Sequence, residues 1–149
     1  MGHDLFFFKK KNLVLEEVDK ILGLEKAEPS DDHFISTSLL IKISEDIEAL
    51  HIYYQSYIGK TGESRLGMNY INYCLSMYNN NHIALEIPYH RRNNSKAIAE
   101  ELISIILILF KRGFSCFDPQ VSRVLTQPED FFSVFLISLI ETERILKKS

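Results

Sequence analysis

The densest set of residues able to do chemistry lies near the middle of the chain: His82, Glu86, His90, Arg91 and Arg92. On a strand over 82–87, His82, Ala84 and Glu86 share one face, because side chains alternate. A histidine and a carboxylate there could move protons, and the arginines could hold a phosphate. The set lacks a third residue to orient the imidazole and a glycine cradle for an anion. The plainer reading is a hairpin's solvent face followed by a charged loop. A small hydrolase or transferase using His82, Glu86, His90 and Arg91 is the alternative.

Other reactive residue types give less. Cys116 and Asp118 flank Phe117 and so point the same way on a strand. A cysteine nucleophile needs a nearby base and an electropositive pocket, and a buried thiol beside a turn aspartate is the commoner outcome. Gly59-Lys60-Thr61 resembles the end of a phosphate-binding loop, but G-x-x-x-x-G-K-[ST] requires glycine where the chain has Tyr54. A solvated glycine loop is expected there. His3, His33, His51, His82 and His90 form no H-x-x-x-H or H-x-H pairing, and Cys74 and Cys116 make neither a disulfide framework nor a four-ligand zinc site. No metal and no cofactor is expected.

Those residues need elements to position them. The 149 residues suit one domain, and 46% apolar with 25% charged residues is an ordinary globular composition. His3–Phe8 is an aromatic run of strand length ended by Lys9-Lys10-Lys11. Asn12 is placed to cap a helix carrying Val14, Val18, Ile21 and Leu22, with Gly23 as its stop. Glu28–Asp32 is a polar connector.

Ile35 to Ile43 then fits two patterns. Ile35, Thr37, Leu39, Ile41 and Ile43 alternate as in a strand, whereas Leu40, Ile43, Ile47, Leu50 and Tyr54 fit one helical face. A strand to about Ile43, a Ser44-Glu45-Asp46 turn and a second element through Tyr57, helix or strand, is the favoured expectation. Gly59–Gly67 reads as loop. Met68–Tyr78 and His82–Ile87 read as a hairpin around Asn79-Asn80-Asn81, closed by Pro88. Ser95 caps a central apolar helix, with Lys111 and Arg112 at its end and Gly113 as its stop. Phe114–Phe117 is a buried strand and Asp118-Pro119 a turn. Thr126-Gln127-Pro128-Glu129 reads as a capping box opening a last helix through Phe131, Phe132, Phe135, Leu136, Leu139 and Ile140. The fold class is therefore α+β, a single domain over 1–149 with a mixed or antiparallel sheet and about three helices packed on it.

Charge narrows the partners. A net of −3 argues against direct nucleic-acid binding, which needs a basic footprint. Leu102–Phe110, the longest apolar run, is far shorter than the roughly 20 residues of a membrane span. With no signal peptide read at the start, a cytoplasmic location with reduced thiols is expected. Glu28, Asp31, Asp32, Glu45, Asp46 and Glu48 stand against the single base Lys42, a local net of −5. Such a region can steer a basic partner, and Tyr53, Tyr54 and Tyr57 just beyond it supply aromatic anchors.

Three segments carry a resemblance. The start M-G-H-D-L-F-F-F is similar to bacterial proteins that begin M-S-Y-D-L followed by aromatics. G-F-S-C-F-D-P-Q at Gly113–Gln120 resembles their G-L-x-C-Y-D-P-Q element, and Ile83–Tyr89, ending I-P-Y, matches the strand before their helix. Some of these small proteins resemble immunity proteins of polymorphic toxin systems. The resemblance implies a non-enzymatic protein that neutralises a cognate toxin by occluding its active site. Its interface is then expected at Asp31, Asp32, Glu45, Asp46, Glu48, Tyr53, Tyr54 and Tyr57, against a basic toxin surface. A homo-oligomeric module, such as a homodimer joined through the wide last helix, is the third reading.

Overall fold

The computed structural model describes residues 2–24, 26–50, 54–58, 66–70, 73–88 and 95–131. Seven strands form one antiparallel sheet in the order β2-β3-β4-β5-β1-β6-β7. They are β1 (Gly2–Phe8), β2 (Tyr54–Ile58), β3 (Leu66–Tyr70), β4 (Cys74–Tyr78), β5 (His82–Pro88), β6 (Ser115–Asp118) and β7 (Arg123–Leu125). Among the described residues four helices accompany them: α1 (Leu15–Leu22), α2 (Thr37–Glu48), α3 (Ser95–Lys111) and the short α4 (Pro128–Phe131). The architecture is α+β, as the sequence implies.

The aromatic opening explains the plan of the sheet. β1 pairs with β5 on one side and β6 on the other, so the first strand becomes an interior one. An interior strand covered on both faces tolerates apolar residues at successive positions. Leu5 and Phe7 enter a core with α2 and α3, shared with Leu40, Ile43, Ile47, Leu102, Ile105, Ile106 and Leu109. Phe8 faces the opposite way into a smaller cluster with Leu13, Val18 and Ile21 of the α1 region, with Phe6, Phe117 and Val124 packed around it. The helix α3 carries the chain from β5 to β6, which flank β1 and are both antiparallel to it.

The principal correction concerns residues 35–48. Of these, Thr37–Glu48 form the helix α2 with Ser36 as its extended N-cap, not a strand and turn. Ser36 Oγ accepts the Leu39 N–H at 3.2 Å, which satisfies an orphan donor and starts the helix. Leu40, Ile43 and Ile47 then face the core at helical spacing, while Ile41 of the apparent alternation is 41% exposed. Burial of one stripe outweighs the β-propensity of isoleucine. The second element through Tyr57 resolves into the strand β2.

Smaller corrections follow the same logic. Asn12 does not cap α1; the Val14 N–H is met by Glu17 Oε1 at 3.3 Å. Gly23 does end that helix as its C-cap, with right-handed geometry at φ −76°, and a Cβ there would lie a tight 3.3 Å from Asp19 O. Met68–Tyr78 is two strands, β3 and β4, rather than one. The strand β7 follows the Asp118-Pro119 turn through Ser122 at φ 51°, and is too short to show alternation. At α4 it is Asp130, not Glu129, whose Oδ2 faces the Thr126 and Gln127 N–H groups, at 3.4 and 3.2 Å. Residues 132–149, including the remaining expected apolar positions, lie outside the described residues, as do 59–65 of the glycine loop.

Other expectations hold. The Asn79–Asn81 hairpin joins β4 to β5 with Tyr78 opposite His82. Gly113 ends α3 at φ 90°, a conformation that suits glycine. Asp118 Oδ1 accepts the Gln120 N–H at 2.9 Å and thereby forms the expected turn. Among the described residues no helix is long and apolar enough to cross a membrane.

Candidate functional site

The acidic segment divides into two groups separated by the length of α2. Glu28, Asp31 and Asp32 precede the helix, and Glu45, Asp46 and Glu48 occupy its C-terminal end. About two and a half turns of helix, roughly 14 Å of rise, separate Ser36 from Glu45. In the first group Asp31 Oδ2 accepts the Glu28 N–H at 2.8 Å, so that carboxylate shapes the connector. Asp32 projects outward with 84% of its side chain exposed.

The second group is electrostatically unusual. α2 has no acid in its first turn and no base in its last, the reverse of what its dipole favours. Arg112, just past α3, offsets part of this charge: its Nε and Nη2 lie 2.9 and 2.8 Å from Asp46 Oδ2. Glu45 and Glu48 are exposed. Six residues after Glu48 β2 begins, carrying Tyr54 and Tyr57 at the end of the sheet among the described residues. In the backbone register Tyr54 pairs with Tyr70 and Tyr57 with Gly67. Tyr53 lies outside the described residues.

The alternative site is assembled in part. Cys74, Tyr78, His82 and Glu86 share the sheet face opposite α2 and α3. Tyr78 Oη donates to Glu86 Oε1 at 2.7 Å, and the Cys74 thiol donates to Glu86 Oε2 at 3.6 Å. Burial, helped by the Glu86 charge, pushes the Cys74 thiol up to about 11. A thiol held protonated at neutral pH is a poor nucleophile. His82 does not engage Glu86; its ring stacks on Tyr78 and meets Phe6 and Phe8. Burial moves the imidazole down to about 4, and its shielded Nδ1 has no hydrogen-bond partner. His90, Arg91 and Arg92 lie outside the described residues.

No family model, curated protein or solved structure matches this chain. Its residues alone carry the functional argument. Cys116 and Asp118 are each fully buried, and burial, followed by the neighbouring carboxylate, raises the Cys116 thiol well above its ordinary value. That pair forms part of the core and turn, with no access for a substrate. Among the described residues no three His, Cys, Asp or Glu side chains form a group able to hold a metal.

Two participants escape sequence reasoning. Arg112 is 66 residues from the Asp46 it neutralises, and Tyr78 links His82 to Glu86 through its ring and hydroxyl. A register of the β4–β5 hairpin would have found Tyr78 beside His82. Nothing local in the sequence marks Arg112.

Proposed function

We propose that the protein is a non-catalytic, cytoplasmic binding protein that neutralises a cognate toxin by covering its active site. The observation that carries this reading is the acidic C-terminal end of α2, which leads within a few residues into a terminal, tyrosine-bearing strand. Acids at a helix C-terminus cost roughly 0.3–1 kcal/mol each, and Arg112 pairs with Asp46 there. A basic partner surface would offset such charge further, and charge complementarity would speed its capture. Tyrosine supplies large contact area with a polar tip, which suits an anchor residue. The two-part acidic layout makes Glu45, Asp46, Glu48, Tyr54 and Tyr57 the leading interface, with Asp31 and Asp32 at its margin.

Co-expression with toxins encoded beside this protein's gene is the direct test. Rescue of growth, lost when Glu45 and Glu48 are both changed to Lys, is the expected result. If no neighbouring gene encodes a toxin and co-expression rescues nothing, the reading fails.

A further inference from the structure

The Asn79–Asn81 turn anchors the link between α1 and α2. Asn79 O accepts the Ala27 N–H at 3.1 Å, and Asn80 O accepts the Ile35 N–H at 2.9 Å. Asn80 Nδ2 donates to Ile35 O at 2.8 Å, and Asn81 Nδ2 donates to Ile21 O at 2.7 Å and Leu24 O at 3.1 Å. The turn thus holds both ends of a connector that has no strand or helix among its described residues.

At the root of this turn stands His82, opposite Tyr78 in the register. Its ring lies 5.5 Å from that of Tyr78, 5.6 Å from Phe6 and 5.8 Å from Phe8. Nδ1 is buried without a partner. Among the described residues burial, and no charged side chain, shifts its titration. From β4 the Tyr78 hydroxyl and Cys74 thiol donate to Glu86, which lies four residues further along β5. β1 offers Phe6 and Phe8, with Asp4 further along the same face. α1 turns Val18 and Ile21 inward, pairs Glu17 with Lys10 and exposes Glu16, Asp19 and Lys20. β6 and β7 add Phe117 and Val124 to the cluster, with Arg123 exposed.

We propose that His82 is an acid-operated latch: neutral, it closes the aromatic box; protonated, it leaves the box and releases the turn and connector. A neutral imidazole leaves Nδ1 as an unused acceptor, whereas an imidazolium must place a buried hydrogen there with nothing to receive it. Burial accordingly holds the closed-state value at about 4, against 6.5 for the free side chain. The open state therefore binds the proton more readily. Latch stability is complete above pH 6.5 and falls as the pH drops from there towards 4. One-proton linkage makes opening about 20-fold more favourable at pH 5 than at pH 7. This inference rests on the fold and is independent of the toxin-binding reading.

Hydrogen–deuterium exchange of the full chain at pH 7 and pH 5, corrected for intrinsic amide rates, tests the latch. Residues 26–36 and 79–81 should lose protection by up to about 20-fold at pH 5, while β1 and α3 keep theirs. His82→Phe, which fills the box without titrating, should abolish the response. NMR titration of His82 in the unmodified protein, with the other four histidines as internal references, gives a readout that needs no variant. An imidazole titrating near 6.5, an unchanged acid response in a folded His82→Phe protein, or loss of protection spread evenly over β1 and α3 overturns the proposal.

Discussion

At Asp118 a buried carboxylate receives the Gln120 N–H, and beside it Cys116 lies wholly inside the apolar core. Cys116→Ser should lower stability by about 1–3 kcal/mol, the cost of burying a hydroxyl in an apolar setting. It should leave partner binding intact, as urea unfolding and titration calorimetry would reveal. Ile106 is 1% exposed in the same core. Ile106→Asp introduces an unpaired buried charge costing several kcal/mol, a large part of the 5–15 kcal/mol typical of a domain. Circular dichroism should show that variant largely unfolded. Cys74 differs because it is only half-buried and its thiol is raised to about 11. Iodoacetamide should label it slowly at pH 8 and faster as the pH approaches 11. Glu86→Gln removes an acid that raises the thiol and should speed labelling at pH 8, read by mass spectrometry.

At the scale of elements, the β4–β5 turn fastens distant chain by hydrogen bonding and by backbone conformation. Asn80 has φ 55° and is 8% exposed. Asn80→Ala loses the side-chain bond to Ile35 O and forces alanine into the left-handed region, for a combined cost of about 2–4 kcal/mol. Asn80→Gly removes only the side-chain component and should recover about 1 kcal/mol of that loss. Thermal unfolding of the two variants separates the contributions. The sequence makes this hairpin legible because asparagine tolerates left-handed backbone. Its bonds to Ile21, Leu24, Ala27 and Ile35 are not legible, since they join residues remote in the chain. α2 shows the opposite limit. Ile35 to Ile43 satisfies period 2 and period 3.6 together, and contact with α3 decides between them.

At the scale of the whole molecule, charge placement governs the expected partner. Glu45→Lys with Glu48→Lys should slow association with a basic toxin at least tenfold at low salt, with a smaller effect at high salt. Stopped-flow measurements over an ionic-strength series check this. Stability should rise by about 1 kcal/mol, because the change puts two bases where acids oppose the dipole at the C-terminal end of α2. The sequence identified these acids by count alone. It could not show that α2 separates them into two groups, or that Arg112 takes up Asp46.

The sequence by itself determined the α+β class, the aromatic first strand, the asparagine hairpin, the central helix with its glycine stop and the Asp-Pro turn. Each depends on local causes: side-chain periodicity, left-handed tolerance or a fixed proline φ. Tertiary structure alone decided that β1 lies between β5 and β6, that residues 37–48 are helical, and that His82 sits among aromatic rings away from Glu86. Those outcomes follow from which apolar surfaces can be buried together, a property shared by segments far apart in the chain.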